Sequence, residues 1–458
     1  MRIRRPARWL LASAGVPAFG LVAALLRPAP AAPPPRPAGD AGFAEWRGVA
    51  SCTSSACHNQ DAGRSAYARG SEYAVWAGRD PHARAYQVLF DKRSLGIQDR
   101  LNGADPSKNP VRPDQNLLCI RCHVDPGADK AVEAAPVWFG DGVGCESCHG
   151  RAGNWLTLHY GREWGGLTAG QKERLGFHDM KDLAGQASVC TACHVGGDRA
   201  EVNHDLIAAG HPALLFEFSS FLDRYRPYQH WSEAEDRRSH PALEAEAWTV
   251  GQAVSAEAAL RLLAIRARGD GPWPEFAEYD CASCHHDLQP RARDAPRGHK
   301  AGVPAWSWYT AMTPLLPSHD GDDALLRQLR DEMEAPHPER DVVAGKAEAL
   351  AAAYHEWLNR RAGRIDLRGG LMMMTGDKGE QIAGGGWEDA RQLSFGISAY
   401  QRSLERVEPG PDDARTAALV DRLAGELRPP LGQDTPRTFD ATKATDCLRQ
   451  IHARLAGR

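Results

Sequence analysis

The stretch VGCESCHGRAGNWLTLH, residues 143–159, holds two cysteines three positions apart, a histidine directly after the second, and another histidine ten residues later. Two thiols one helical turn apart can add across the two vinyl groups of a porphyrin, and the adjacent histidine then reaches the iron. The unit C-x-x-C-H, which is the covalent haem attachment signature, occurs four times. It predicts attachment cysteines and a proximal histidine at Cys119, Cys122 and His123; Cys145, Cys148 and His149; Cys190, Cys193 and His194; and Cys281, Cys284 and His285.

Zinc and disulfides are the alternatives for these cysteine pairs. The 119/122 and 145/148 pairs together resemble a zinc site with four thiolates, and any single pair of an exported protein can oxidise to a disulfide. Neither alternative uses a histidine fixed directly behind each pair. Histidine occupies only 18 of 458 positions, so four such adjacencies are not expected by chance. The pattern favours haem.

A further, looser unit has four residues between its cysteines: Cys52, Cys57 and His58. Numbered along the chain, units 1 to 5 therefore begin at Cys52, Cys119, Cys145, Cys190 and Cys281. This spacing requires a bulged loop between the attachment points instead of a helical turn. Attachment through Cys57 alone and a Cys52–Cys57 disulfide are the alternatives. With this unit the chain is predicted to carry five haem c groups, which use ten of the eleven cysteines. Cys447 remains, on an apolar helical stripe typical of a buried structural thiol.

Each iron also needs a group on its second face. Methionine is scarce and clusters only at residues 372–374, so histidine is the expected distal ligand, and it favours electron transfer over binding of small molecules. His159 is a candidate because it follows the Cys145 unit at a distance that allows a turn and a short helix, and His82, His204 and His211 are candidates because small residues surround them in the sequence. The fifth distal ligand is predicted to be His230, with His240, His286 and His299 as competitors. The other histidines look like ordinary surface or helical residues: His178, His319, His337, His355 and His452.

The N-terminus looks like an export signal. Four arginines precede an uncharged run over residues 9–26, and Ala29-Pro30-Ala31 fits the small-x-small rule for signal peptidase. Residues 1–31 are therefore predicted to be a signal peptide, and the Pro/Ala-rich residues 32–48 a linker. The alternative is an uncleaved membrane anchor. Either interpretation predicts a periplasmic location, with anchoring to the membrane only if the leader is retained.

Charge excludes one class of partner. The leader contains five arginines and no acidic residue, so its removal changes the formal net charge from −4 to −9. Binding to phosphate backbones needs a concentrated basic face, which an acidic chain without Lys/Arg blocks does not offer. We therefore expect no nucleic acid partner.

The chain divides into two predicted domains. Residues 49–290 are rich in Cys, His, Gly and Trp, with little period-two alternation, and are predicted to form a pentahaem domain with few strands and a long helix at about 241–266. Residues 291–458 are predicted to be a helical, haem-free domain. Its apolar stripes include Leu325, Leu326, Leu329 and Met333; Leu350, Tyr354, Trp357 and Leu358; Leu419, Val420, Leu423 and Leu427; and Cys447, Leu448, Ile451 and Leu455.

A family resemblance follows from the motifs taken together. SCTSSACHNQ (51–60), SEYAVWAGRDPHARAY (71–86), LCIRCH (118–123), GVGCESCHGRAGNWLTLH (142–159) and VCTACH (189–194) resemble the cytochrome c-554-like multihaem family, related to the hydroxylamine-oxidoreductase type of haem arrangement. The likeness covers about residues 50–215, and WPEFAEYDCASCHHDL (273–288) extends it. It implies a mostly α fold with stacked haems, bis-His ligation at most irons, and periplasmic electron transfer. It also implies distal roles for His82, His159, His204 and His211.

The leading functional interpretation is an electron carrier that serves redox protein partners, such as a membrane quinol-linked complex or another cytochrome. The acidic balance, to which haem propionates would add, suits a basic partner. The alternative is a multihaem oxidoreductase acting on a small nitrogen or sulfur compound at one five-coordinate haem. The ample supply of histidine argues against an open iron and favours the carrier over the catalyst. A third interpretation is a haem-based gas sensor or an interaction scaffold.

Overall fold

The computed structural model describes residues 46–60, 70–103, 111–125, 140–198, 200–225, 233–284, 306, 309, 312, 315–316, 322–360, 365–410, 413–429 and 439–457. All of these belong to one compact unit, Gly42–Arg458. The predicted signal peptide and most of the predicted linker lie outside the described residues. The predicted domain boundary at residue 290 stays a prediction.

Helices dominate the described part of the chain, and short 3-10 helices at Val49–Cys52, Pro81–Arg84, Gln87–Phe90, Pro113–Gln115, Ala152–Asn154, Arg162–Gly166 and Phe276–Glu278 connect some of them. The α-helices are α1 Glu72–Arg79, α2 Lys92–Asn102, α3 Leu117–His123, α4 Cys145–His149, α5 Ala169–Arg174, α6 Leu183–His194, α7 His204–Ala208, α8 Phe218–Tyr225, α9 Glu233–Ser239, α10 Leu243–Arg268, α11 Cys281–Cys284, α12 Asp322–Met333, α13 Arg340–Arg360, α14 Leu367–Thr375, α15 Asp377–Ala383, α16 Trp387–Val407, α17 Asp413–Glu426 and α18 Ala441–Leu455.

Extended structure in the described residues is limited to isolated bridges, between Gly197 and Ala200 and between Tyr279 and Trp306. The prediction of a mostly α fold with few strands is confirmed. Among the described helices, none combines the length and the apolar character needed to cross a membrane.

The long helix α10 is the centre of the fold, and its prediction at about 241–266 is confirmed. Its buried residues lie all around its circumference, as expected for a helix inside a large core. Val250 and Val254 share a hydrophobic cluster with α6, whereas Leu260 and Leu263 share another with α13. Burial of each leucine contributes about 2 kcal/mol. α10 therefore joins the helices that carry cysteine motifs to the helices of the C-terminal part.

The four predicted C-terminal stripes lie on α12, α13, α17 and α18, so these helices are confirmed. Cys447 is fully buried on α18, as predicted. The structure adds α14, α15 and α16 between them. α16 approaches α10 closely at Gly396, where a Cβ atom would lie 2.6 Å from the ring of Trp248. Glycine at this position lets the two helices pack in contact.

Candidate functional site

Each of the four C-x-x-C-H units ends or forms a helix, and two of these helices, α3 and α6, begin at a capping side chain. The Asn116 side chain accepts a hydrogen bond from Leu118 N (3.0 Å) at the start of α3, and Asp182 accepts one from Gly185 N (2.8 Å) at the start of α6. α4 consists of the unit itself, residues 145–149. Cysteines three residues apart on these helices lie one turn apart, which is the arrangement that attachment to a porphyrin edge requires.

The looser first unit is built differently. Cys52 ends the 3-10 helix Val49–Cys52, and Cys57 lies in a turn in which its N–H donates to Ser54 O at 2.9 Å. Glu146 of α4 accepts hydrogen bonds from Arg47 N (2.9 Å) and Gly48 N (2.8 Å) just before this unit. The first unit is thereby held against α4.

None of the eleven cysteines, which all lie in the described residues, forms a disulfide. Cys52 of the first unit is within hydrogen-bonding distance of Cys145 of the third, and Cys122 of the second unit is within hydrogen-bonding distance of Cys193 of the fourth, so these four units adjoin in two pairs. Burial raises the pKa of the Cys119 thiol to about 11 and that of Cys190 to about 12. The described residues contain no group of three or more His, Cys, Asp or Glu side chains arranged to hold a metal ion.

The structure brings together His58 of the first unit and His159, the second histidine of the opening stretch. Their rings are stacked, with centroids 6.0 Å apart and planes 14° apart. Metal–imidazole bonds are about 2 Å long, so two imidazoles on opposite sides of one metal ion have ring centres about 6 Å apart. The separation of this pair therefore fits two axial ligands of one iron.

His194 of the fourth unit lies at a similar distance from His82, with ring centroids 6.2 Å apart, but these two rings are nearly perpendicular, with planes 83° apart. Burial and the charge of His82 lower the pKa of His194 to about 4. Burial alone would lower the pKa of His82, but the Asp80 carboxylate outweighs it and raises that pKa above its ordinary value. The Asp80 carboxylate also accepts a hydrogen bond from the Tyr225 hydroxyl.

A third pair is His123 of the second unit with His211. The two imidazoles are close enough for His123 to lower the pKa of His211, although burial is the larger cause of that shift. Burial likewise lowers the pKa of His123. The structure thus places a distal candidate near the proximal histidine of three different units.

One further feature is shared by five of the six imidazoles in these pairs, all except His194: Nδ1 contacts an oxygen acceptor. Carbonyl and carboxylate oxygens only accept, so Nδ1 carries the proton and the lone pair lies on Nε2, as in most metal-ligating histidines. The residues present therefore fit haem iron. The contacts are His58 to Glu72 Oε2 (3.2 Å), His82 to Asp80 Oδ1 (2.9 Å), His123 to Ala85 O (2.7 Å), His159 to Leu156 O (2.5 Å) and His211 to Pro212 O (2.8 Å).

The third unit has aromatic surroundings. His149 stacks on Phe177 with ring centroids 5.9 Å apart. His178, which was predicted to be an ordinary surface or helical residue, is exposed but places Nδ1 3.2 Å from Cys148 O. Its backbone N–H donates to His149 O at 3.0 Å. This contact depends on the close approach of Gly176 to Gly150, which sequence spacing does not reveal.

The fifth unit lies against the N-terminus of α16. Glu388 of α16 accepts a hydrogen bond from the backbone N–H of Cys281, and burial raises the pKa of the Cys281 thiol to about 12. His204 starts α7 beside the segment that leads into this unit, because its N–H donates to Glu275 Oε1 at 2.8 Å. The predicted proximal ligand His285 and the predicted distal ligand His230 lie outside the described residues, as do His286 and His299. The competitor His240 directs Nδ1 to Glu246 Oε2 at 2.6 Å.

Comparison with known proteins bears on the first three units. Residues 51–150 match the family of cytochrome c554 and c-prime. This part of the chain is cytochrome c554-like. The match supports a c-type cytochrome that works in electron transfer, for which haem c and exchange of electrons with redox partners are characteristic. No curated protein and no solved structure gives a significant match to the chain.

The c554-like segment contains His58, His82 and His123, whereas their partners His159, His194 and His211 lie beyond it. The paired arrangement therefore joins residues inside the matched segment to residues that follow it. Asp80 and Glu72 are functional candidates that were not predicted from the sequence. Acidic residues are common on surfaces, so only their contacts with His82 and His58 single them out.

Proposed function

We propose that this protein is an exported multihaem cytochrome that carries electrons between redox partners through five covalently bound haem c groups. The observation that carries this proposal is the histidine pairing at ring separations of 6.0 and 6.2 Å, with Nδ1 of His58, His159 and His82 each in contact with an oxygen acceptor. Haem c supplies one-electron chemistry at its iron. The chain supplies thiol attachment, axial ligands and the orientation of those ligands.

The proposed axial pairs are His58 with His159, His194 with His82, and His123 with His211. His149 and His285 are the proposed proximal ligands of the third and fifth haems, and His204 and His230 remain the proposed distal ligands for these two. The attachment residues are Cys52, Cys57, Cys119, Cys122, Cys145, Cys148, Cys190, Cys193, Cys281 and Cys284.

Two histidines at one iron leave no face open for a substrate, which supports a carrier over a catalyst. The thiol contacts between units 1 and 3 and between units 2 and 4 support closely spaced haems, as a path for electrons requires. A formal charge of −9 after loss of the leader supports a basic redox partner bound transiently, such as a membrane quinol-linked complex or another cytochrome. The proposed location is the periplasm.

Haem quantification and low-temperature spin-state spectroscopy of the purified holoprotein test the proposal. We expect five haems per chain, each attached by thioether bonds and predominantly low-spin. A single high-spin, ligand-binding centre would instead favour the oxidoreductase that acts on a small nitrogen or sulfur compound. Colourless protein, or mass spectrometry showing disulfides at the cysteine pairs, would refute the proposal that the chain binds haem.

His159→Ala tests one axial pair directly. We expect one low-spin centre to become high-spin while the others keep their signals, because His58 then remains as the one axial ligand of its iron. His337→Ala is the matched control, since His337 is exposed after α12 and outside every proposed pair. An unchanged spectrum of His159→Ala would remove His159 from the ligand set.

A further inference from the structure

A cavity of about 260 Å³ lies between α8, α16 and the chain segment that precedes α8. His194 and the phenylalanines Phe216 and Phe221 line its inner side, and Phe216 stacks on His194 with ring centroids 5.3 Å apart. Arg224 of α8 and Arg391 of α16 line it as well. The cavity thus combines an apolar wall, a proposed haem ligand and two cations.

Arg391 is held in place by aromatic rings and not by an acid. Its guanidinium lies 5.1 Å from the centroid of Trp387 and 5.4 Å from that of Phe395, and its Nη1 donates to Leu427 O at 3.4 Å. Burial and the charge of Arg224 lower its pKa. The side chain is half-buried and fixed in direction, as a preformed binding group would be.

Arg224 lies 5.9 Å from the ring centroid of Phe221. Within the described part of the chain, neither Arg224 nor Arg391 forms an ion pair. Nearby arginines of α16 do: Arg402 pairs with Asp223 at 2.9 Å and Arg406 with Glu244 at 3.0 Å. The cavity therefore has two adjacent guanidinium groups that no carboxylate of the described residues neutralises, beside an apolar wall. These features favour binding of an anionic ligand with an apolar body.

A porphyrin has this chemistry, because an apolar macrocycle carries two propionate carboxylates. We infer that Arg224 and Arg391 bind the propionates of the haem tethered by Cys190 and Cys193, so that α16 completes this haem site. The inference rests on the proposed function. It gives the C-terminal helices, which contain no attachment unit, a role at a haem whose attachment residues lie on α6.

Guanidinium groups bind carboxylates through two parallel hydrogen bonds, and their positive charge favours the reduced form of a nearby iron. The loss of either arginine is therefore expected to lower the reduction potential of one haem. We expect Arg391→Gln to change the ratio of reduced to oxidised haem at that centre about tenfold, which corresponds to about 59 mV for a one-electron couple. Arg391→Lys keeps the charge and should restore most of the potential.

The experiment is a redox titration of the purified holoprotein, followed by visible and spin-state spectroscopy, for Arg224→Gln, Arg391→Gln and Arg391→Lys. Arg422→Gln is the control, because Arg422 lies exposed on α17, does not line the cavity, and donates a hydrogen bond to the neutral Gln450 at 3.4 Å. Far-UV circular dichroism checks that each variant folds. A lowered potential at one haem in both Gln variants, with the control unchanged, is the expected result.

Two results would overturn the inference while leaving the proposed function intact. One is an unchanged set of potentials in Arg391→Gln and Arg224→Gln when all haems are attached. The other is a response of the wild-type spectrum to added nitrite or phosphate that both Gln variants abolish, which would assign the cavity to a free oxyanion. Absence of haem on the peptide containing Cys190 and Cys193 in the wild-type protein would instead contradict the proposed function itself.

Discussion

Asp80 is the residue that fixes the orientation of His82. One carboxylate oxygen accepts hydrogen bonds from His82 N and His82 Nδ1, both at 2.9 Å, and the other accepts from the Tyr225 hydroxyl. A carboxylate behind a ligating imidazole makes that ligand more basic and so favours oxidised iron. Asp80 acts through His82 and is a positioning residue.

Asp80→Asn is therefore expected to raise the reduction potential of one haem, because the more basic ligand is lost, and to leave its low-spin signal present. Redox titration with spin-state spectroscopy measures both properties. Asp99→Asn, an exposed position on α2, is the control. A fall in the potential, or no change, would contradict the role assigned to Asp80.

Asp389, in the first turn of α16, gives a prediction about pH. Burial, opposed by Arg330 and reinforced by Asp280 and Glu334, raises the pKa of Asp389 to about 7. A carboxyl group whose pKa is higher in the folded than in the unfolded state stabilises the fold at low pH and loses that contribution as the pH rises toward the folded-state value.

Asp389→Asn should therefore raise the melting temperature more at pH 8 than at pH 5, because asparagine avoids the buried negative charge. Thermal unfolding at the two pH values measures the difference. Asp377→Asn, an exposed position in the first turn of α15, should show no such pH dependence. Equal effects of Asp389→Asn at both pH values would show that Asp389 is not the titrating group.

For single residues, the sequence identified candidate haem ligands, but it did not show which two histidines lie next to each other. Local context selected His82, His159 and His211, and the structure places them near His194, His58 and His123. Which histidine meets which was not predictable, since the members of each pair are far apart in the chain and tertiary packing alone brings them together. The contact of His178 with Cys148 was missed for the same reason.

The short helix α4 depends on a glycine at its C-terminal end. Gly150 has φ +79°, and a Cβ atom there would overlap the carbonyl oxygen of Gly176. Gly103 has a similar φ of +66° after α2, but open space surrounds it. Alanine substitutions at the two positions therefore distinguish the free-energy cost of the backbone conformation from the cost of the steric clash.

Gly103→Ala should cost about 1–3 kcal/mol of folding free energy, because its positive φ combined with ψ −179° is a backbone conformation that almost only glycine adopts. Gly150→Ala should cost about 2–6 kcal/mol, because the clash adds an overpacking term of about 1–3 kcal/mol. Denaturant unfolding of the holoproteins measures both. Equal losses at the two positions would mean that the backbone around Gly176 moves aside freely.

Among the helices, those with clean apolar stripes were predicted, and α16 was not. Trp387, Ala390, Ile397 and Leu404 of α16 do recur at helical spacing and are buried. Polar and small residues are buried between them, including Gln392, Ser394, Gly396 and Ser403, and they dilute the apolar pattern. Such positions are explained by close helix packing, as at Gly396 against Trp248, which periodicity alone does not show.

On the scale of the whole molecule, sequence composition suggested a haem domain followed by a separate helical domain. α10 complicates that interpretation, because its buried residues belong to clusters with α6 and with α13 alike. Arg391 likewise extends from α16 to a cavity that His194 lines. Composition shows where along the chain the cysteine pairs end, but it does not predict which helices pack into the same hydrophobic core.

If α10 couples the two parts, the holoprotein should unfold in one cooperative transition. Leu260 is fully buried in the cluster formed with α13, and Leu260→Ala should cost about 2–5 kcal/mol. Because the loss occurs in a shared helix, the haem absorbance and the far-UV circular dichroism should lose stability together, with coincident midpoints. Leu95→Ala, at a side chain of α2 that is 44% exposed, is the control and should shift neither signal. Separation of the two midpoints in Leu260→Ala would show that the haem-bearing part folds independently and would favour the boundary at residue 290.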